Sequence, residues 1–189
     1  MSERSVGIDI SVFVILILAT HITLAKAETI PSNYHKIAIE NNIPTVILYA
    51  VALAESATKI KKSKIKPGHY KPWPWTLNVS GVPRRYSTRK LAYKGLMYFL
   101  QQGVKSIDIG IMQINWRYHH KKLGTPWQAL EPIYNIRTGA IILHDEYKKT
   151  GEWKQAIGRY HSPGQKPMQK KRALNYASRV MKHIHRLTQ

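Results

Sequence analysis

From Val46 to Ala54 the chain reads VILYAVALA, apolar or tyrosine at every position. A helix that is apolar all round is a buried one. Pro44 suits its first turn, where a missing N–H costs nothing. Upstream, SNYHKIAIENN reads as a short helix with Ile37 and Ile39 in its apolar part, stopping at Asn41-Asn42. From Lys59 the period is lost. KIKKSKIKPGHYKPWPWTLNVSGVPRRYS is basic, then rich in Pro and Trp, then carries a short β-like piece, TLNVS. Such punctuation marks an excursion from a helical core, with a small hairpin as one form open to it.

Helical periodicity then returns. STRKLAYKGLMYFLQQG has a Ser/Thr N-cap and a glycine stop at Gly103. DIGIMQINWRYH reads as irregular and partly extended. NIRTGAIILHDEYKKTG is a helix ending at Gly151, EWKQAIGRY a short one terminated by HSPG, and KRALNYASRVMKHIHRL a basic amphipathic helix over core residues Ala173, Tyr176 and Val180. The pattern predicts a mainly α chain of six or seven helices with a minor β element and no internal repeat.

Charge changes the picture. Thirty Lys and Arg stand against ten Asp and Glu, a formal net charge of +20. That favours an anionic partner: nucleic acid, an anionic membrane or an acidic wall polymer. The absence of cysteine excludes disulfides, thiolate metal sites and cysteine nucleophiles. At the start, Arg4 precedes the apolar run VFVILILA (12–19), and Ala25-Lys26-Ala27 has the small-x-small pattern of a signal-peptidase site. The run is shorter than the roughly 18 residues a membrane span needs. Residues 1–27 are expected to be a signal peptide and 28–189 one domain, periplasmic and touching a membrane only through its leader.

Most acidic residues outside the leader have ordinary explanations. Glu28 lies near a terminus, and Glu40 is on the polar side of the first helix. Asp145 and Glu146 share a helix with Lys148 and Lys149, as a solvated face does. Glu131 adjoins Pro132 at a helix boundary, and Glu152 falls in a first turn, which the helix dipole favours. Glu55 and Asp108 remain. Glu55 sits over Val51 and Ala52, with no solvated helix face for it. Burial disfavours the charged carboxylate, and an acid protonated near neutral pH can protonate a leaving oxygen. The other reading is a glutamate that reaches water or pairs with Lys59, four residues on. Asp108 reads either as a turn aspartate or as a second catalytic carboxylate.

Four pieces in order, ALAESA (52–57), DIGIMQINW (108–116), PIYNIRTGAIIL (132–143) and AIGRYHSP (156–163), resemble the lytic transglycosylase domain of the soluble, goose-lysozyme-like type over roughly residues 32–187. PWPWTLNVSG and DIGIMQINWRYH are similar to the version found with conjugation and type IV secretion machinery. The resemblance implies a lysozyme-like helical domain with a small β excursion. It also implies cleavage of the β-1,4 bond between N-acetylmuramic acid and N-acetylglucosamine in peptidoglycan, leaving 1,6-anhydromuramoyl ends, with no cofactor and no metal. It places the catalytic acid/base on Glu55, with Ser56 as companion. Met112, Gln113 and Asn115 fall in the cleft-lining motif, and Tyr160 in the motif that lies against the glutamate. Asn135 fits the position that opens the following helix. The family's Tyr-Asn stands here as Tyr160-His161.

Trp73 and Trp75 are candidate sugar platforms, since apolar sugar faces pack on aromatic rings; packing that pins loops is the competing role. His119-His120 and His183-Ile184-His185 invite a zinc reading that nothing else supports. The expected partners are peptidoglycan strands, with secretion or conjugation proteins as recruiters and nucleic acid not expected. Three alternatives stay open. One is a hydrolase using Asp108 with water. Another is a non-catalytic basic scaffold or DNA-binding component of a transfer machine. The third is a degenerate member that binds glycan without cutting it.

Overall fold

The computed structural model describes residues 29–59 and 70–189. The expected leader and the lysine run at 61–66 lie outside the described residues. Helix α1 (Ser32–Glu40) turns at Asn41 and Asn42 into α2 (Thr45–Ser56). Residues Ile47 to Leu53 of α2 are all buried. This helix is the centre of the core, packed by α1, by strand β2 (Tyr70–Pro72) and by the long helix α8 (Pro167–Leu187).

The excursion is more ordered than a lone hairpin. Strand β1 (Ala57–Lys59) starts one residue after α2 ends and pairs antiparallel with β2. A second, four-stranded antiparallel sheet has the order β4-β3-β5-β6. It is built from β3 (Thr76–Val79), β4 (Val82–Arg85), β5 (Ile107–Ile109) and β6 (Ile114–Asn115). Ser80 and Gly81 both have positive φ, 49° and 90°, the two-residue turn that suits a twisted hairpin between β3 and β4. DIGIMQINWRYH thus splits into two strands around a tight turn and the start of α4 (Trp116–Leu123). The sequence pattern missed that helix because it is short and half polar.

Helix α3 (Arg89–Gln101) is capped by Thr88, whose side chain accepts from Leu91 N at 3.2 Å. After α4 come α5 (Pro126–Ala129), α6 (Pro132–Thr150) and α7 (Trp153–His161). The described residues therefore hold eight helices, more than the pattern predicts, and the chain is mainly α as expected. Among them no single helix is long and apolar enough to cross a membrane.

Two expectations need correction. Asn135 does not open α6: Glu131 is the N-cap, and Asn135 lies a turn inside, fully buried. Glu146 is not on a solvated face. It is buried, held by Lys149 Nζ at 2.5 Å and Arg159 Nε at 2.6 Å, and these cations keep its carboxyl below the usual range despite burial.

Candidate active site

Glu55 is the penultimate residue of α2, where the helix leaves the core and meets the sheet. The residue as a whole is only partly covered, and its carboxyl is the desolvated end. Burial pushes its pKa up to about 8. The Asp108 charge adds to the rise, while the Tyr176 hydroxyl and the Arg179 guanidinium work against it. Glu55 is therefore an acid that still carries its proton at neutral pH. The lysine expected as its competing partner, Lys59, has a side chain outside those described.

A cavity of about 150 Å³ opens beside Glu55. Its sheet wall follows from strand register. Asn78 is opposite Asp108, and Asp108 is opposite Asn115, so the three side chains form a polar row on one face, all lining the cavity. Asn115 Nδ2 donates to Asp108 Oδ1 at 2.7 Å. Burial nevertheless raises the Asp108 pKa. Asn78 Oδ1 is buried without a hydrogen bond. Gln113, Tyr160 and His161 complete the part of the wall nearest these groups.

The turn joining β5 to β6 is fixed from three sides. Gly110 has φ 81°, and a Cβ there would lie 2.5 Å from Asn135 Nδ2, so only glycine fits. Asn135 Oδ1 accepts from Met112 N at 2.8 Å; its Nδ2 donates to the carbonyls of Ile109 and Ala129 at 3.0 and 2.9 Å. Ser56 Oγ donates to the Ile111 carbonyl at 2.7 Å, and Tyr160 Oη to the Met112 carbonyl at 2.7 Å. Gln113, held at φ 46°, turns its side-chain amide back to the Gly110 and Thr76 carbonyls at 2.8 and 3.1 Å.

The expected site residues therefore separate. Glu55, Gln113, Asn115 and Tyr160 line one cavity. Ser56 and Met112 are buried behind it, Ser56 as a tie to the turn and Met112 against Gly139, where an added Cβ would meet it at 2.8 Å. Trp73 and Trp75 are not among the cavity-lining residues. They pack edge to face at 5.6 Å, and Trp73 Nε1 donates to the Tyr86 carbonyl at 2.8 Å.

Three residues at the site were not read as part of it from the sequence: Asn78, His119 and Tyr176. Tyr176 is a core residue as expected, but its hydroxyl faces the Glu55 carboxyl, short of a well-formed hydrogen bond. Burial, then the Glu55 charge, push the phenol far above an ordinary tyrosine. A signal did exist: a tyrosine on the buried stripe of a helix needs a partner for its hydroxyl. Among the described residues no group of three or more histidine and carboxylate side chains could hold a metal ion.

A family model described as the transglycosylase SLT domain matches residues 32–184. No curated protein and no solved structure matches the chain.

Proposed function

Since the chain belongs to the transglycosylase SLT family, we propose that Glu55 carries out both proton transfers of its reaction. The family activity is lytic cleavage of peptidoglycan, and it sets the substrate as the glycan strand. The observation that carries the assignment is the Glu55 carboxyl: desolvated at the end of an apolar helix, open to one cavity, with a pKa of about 8.

A neutral Glu55 gives its proton to the glycosidic oxygen between N-acetylmuramic acid and N-acetylglucosamine, and that bond breaks. The muramoyl N-acetyl oxygen stabilises the developing cation, as in substrate-assisted glycosidases. Glu55, now ionised, takes the proton of the 6-hydroxyl, whose oxygen bonds to the anomeric carbon and closes the 1,6-anhydro ring. One group serves as acid and then base, which calls for a pKa near the working pH. Gln113, Asn115 and Tyr160 line the cavity and are assigned to the sugar. Ser56 and Met112 act behind it, by holding the turn that presents Gln113. Trp73 and Trp75 are assigned to a more distant part of the strand, beyond the cavity.

A second reading is supported by Asp108, which lines the same cavity and raises the Glu55 pKa. An ionised Asp108 that orders a water there would make the product a reducing sugar. Mass spectrometry of muropeptides separates the two: anhydro ends for the lyase, reducing ends for the hydrolase. A zymogram of wild type beside Glu55→Gln tests the common premise, with clearing expected only from wild type. Equal clearing by both proteins ends the assignment to Glu55, and clearing by neither returns the basic scaffold or DNA-binding alternative.

The biological setting we infer is local wall opening for a secretion or conjugation apparatus in the periplasm, reached by cleavage of the leader after Ala27. Its support is the PWPWTLNVSG and DIGIMQINWRYH wording and the charge of +20, which suits an anionic wall.

A further inference from the structure

We propose that His161 is a positioning residue for this reaction: its neutral imidazole lies flat on the Tyr176 ring and fixes the phenol whose hydroxyl faces Glu55. The inference rests on the Glu55 assignment.

The geometry is specific. The His161 and Tyr176 rings are stacked, with centroids 4.5 Å apart and planes 4° from parallel. The Tyr176 ring is buried, and its hydroxyl has no well-formed hydrogen bond to orient it. Its position at Glu55 is therefore set by packing on the ring. Besides the core side chains, His161, the last residue of α7, lies on it, with the Arg179 guanidinium of α8 5.2 Å from the ring centroid. His161 itself lines the cavity with Glu55, and Tyr176 lies behind it.

Charge decides which form of His161 can stay there. The residue as a whole is exposed, and its covered side is the one toward Tyr176; that cover first, then Arg179 and Arg172 on α8, disfavours its cation. Across the cavity stand Glu55 on α2, Asp108 on β5 and His119 on α4, with Tyr160 next to His161 on α7. At neutral pH the ring is uncharged and stacks. On protonation it becomes a second cation on a phenol already shared with Arg179, beside Arg172, and the two guanidiniums drive it toward water. The phenol then loses its clamp. An asparagine could neither stack in this way nor titrate.

The test is the pH profile of kcat and KM on soluble glycan strands for wild type, His161→Ala and His161→Phe. Wild type is expected to lose kcat on the acid side as His161 becomes charged. His161→Ala should lower kcat at neutral pH roughly tenfold with little change in KM, since misplaced catalytic groups cost rate rather than binding. His161→Phe keeps a flat ring without a titrating nitrogen, so it should recover most of that kcat and lack the acid limb. An unchanged kcat in His161→Ala overturns the proposal. So does an acid limb in His161→Phe at the wild-type pH, which would assign it to Asp108 or His119. If His161→Ala does not fold, His161→Phe decides alone. Activity surviving in Glu55→Gln would instead strike the assignment beneath the proposal.

Discussion

The hydroxyl of Ser56 and the carbonyl of Ile111 are joined by a 2.7 Å hydrogen bond, fully buried, one residue after Glu55. It ties the end of α2 to the turn that carries Gln113. Ser56→Ala leaves a buried carbonyl unpaired, a loss of about 1–3 kcal/mol. For a domain of this size each kcal/mol lowers Tm by about 2–4 °C. Calorimetry should show that shift, and kcat should fall with it because the turn is no longer fixed relative to Glu55.

Asn135 satisfies three backbone groups at once. Asn135→Ala should cost about 3 kcal/mol or more, since the Met112 N–H and the Ile109 and Ala129 carbonyls lose their partners in the core. Urea unfolding checks this: the midpoint should move to lower urea with an unchanged slope.

The elevated Glu55 pKa makes stability fall with rising pH. In the unfolded chain the carboxyl titrates at its ordinary value, near 4.5; in the folded protein it holds its proton up to about 8. Below pH 4.5 both states are protonated and this contribution is complete. It is lost progressively as pH rises through 8, because the unfolded chain then binds fewer protons than the native one. Glu55→Gln has no such proton to lose. Its Tm should match wild type near pH 4, exceed it increasingly up to about pH 8 and level off above that, while activity is abolished throughout.

Asp108 places a negative charge close enough to raise the Glu55 pKa. Asp108→Asn removes that charge, so the alkaline limb of kcat should move to lower pH. An alkaline limb that stays in place would mean that the two carboxyls do not interact in solution. The same variant reports on product: loss of reducing ends but not anhydro ends would mark Asp108 as the water-binding group.

The order of helices, the buried α2 and the lone carboxyl at its end were legible because each is a local pattern. A run of apolar residues has no solvated face, and Glu55 stands at the end of one. What the sequence hid is set by pairing across distance. Nothing local places Asn78 opposite Asp108, on strands separated by α3, and Asp108 meets Asn115 through the Gly110–Gln113 turn, which the distant Asn135 holds. Glu146 read as solvated beside Lys149, but Arg159, thirteen residues on, closes over it. Tyr176 read correctly as core; which group its hydroxyl meets depends on how α8 crosses α2. Trp73 and Trp75 drew notice for residue type alone, and type does not show where an indole points.

The helix that supplies Tyr176 follows everything else in the site. It packs on α2 and brings Tyr176 and Arg179 to Glu55. A chain cut back before Pro167 keeps Glu55, Asp108, Gln113 and His161 in its sequence and lacks both of those groups. The last helix is thus as much a part of the acid as the glutamate itself.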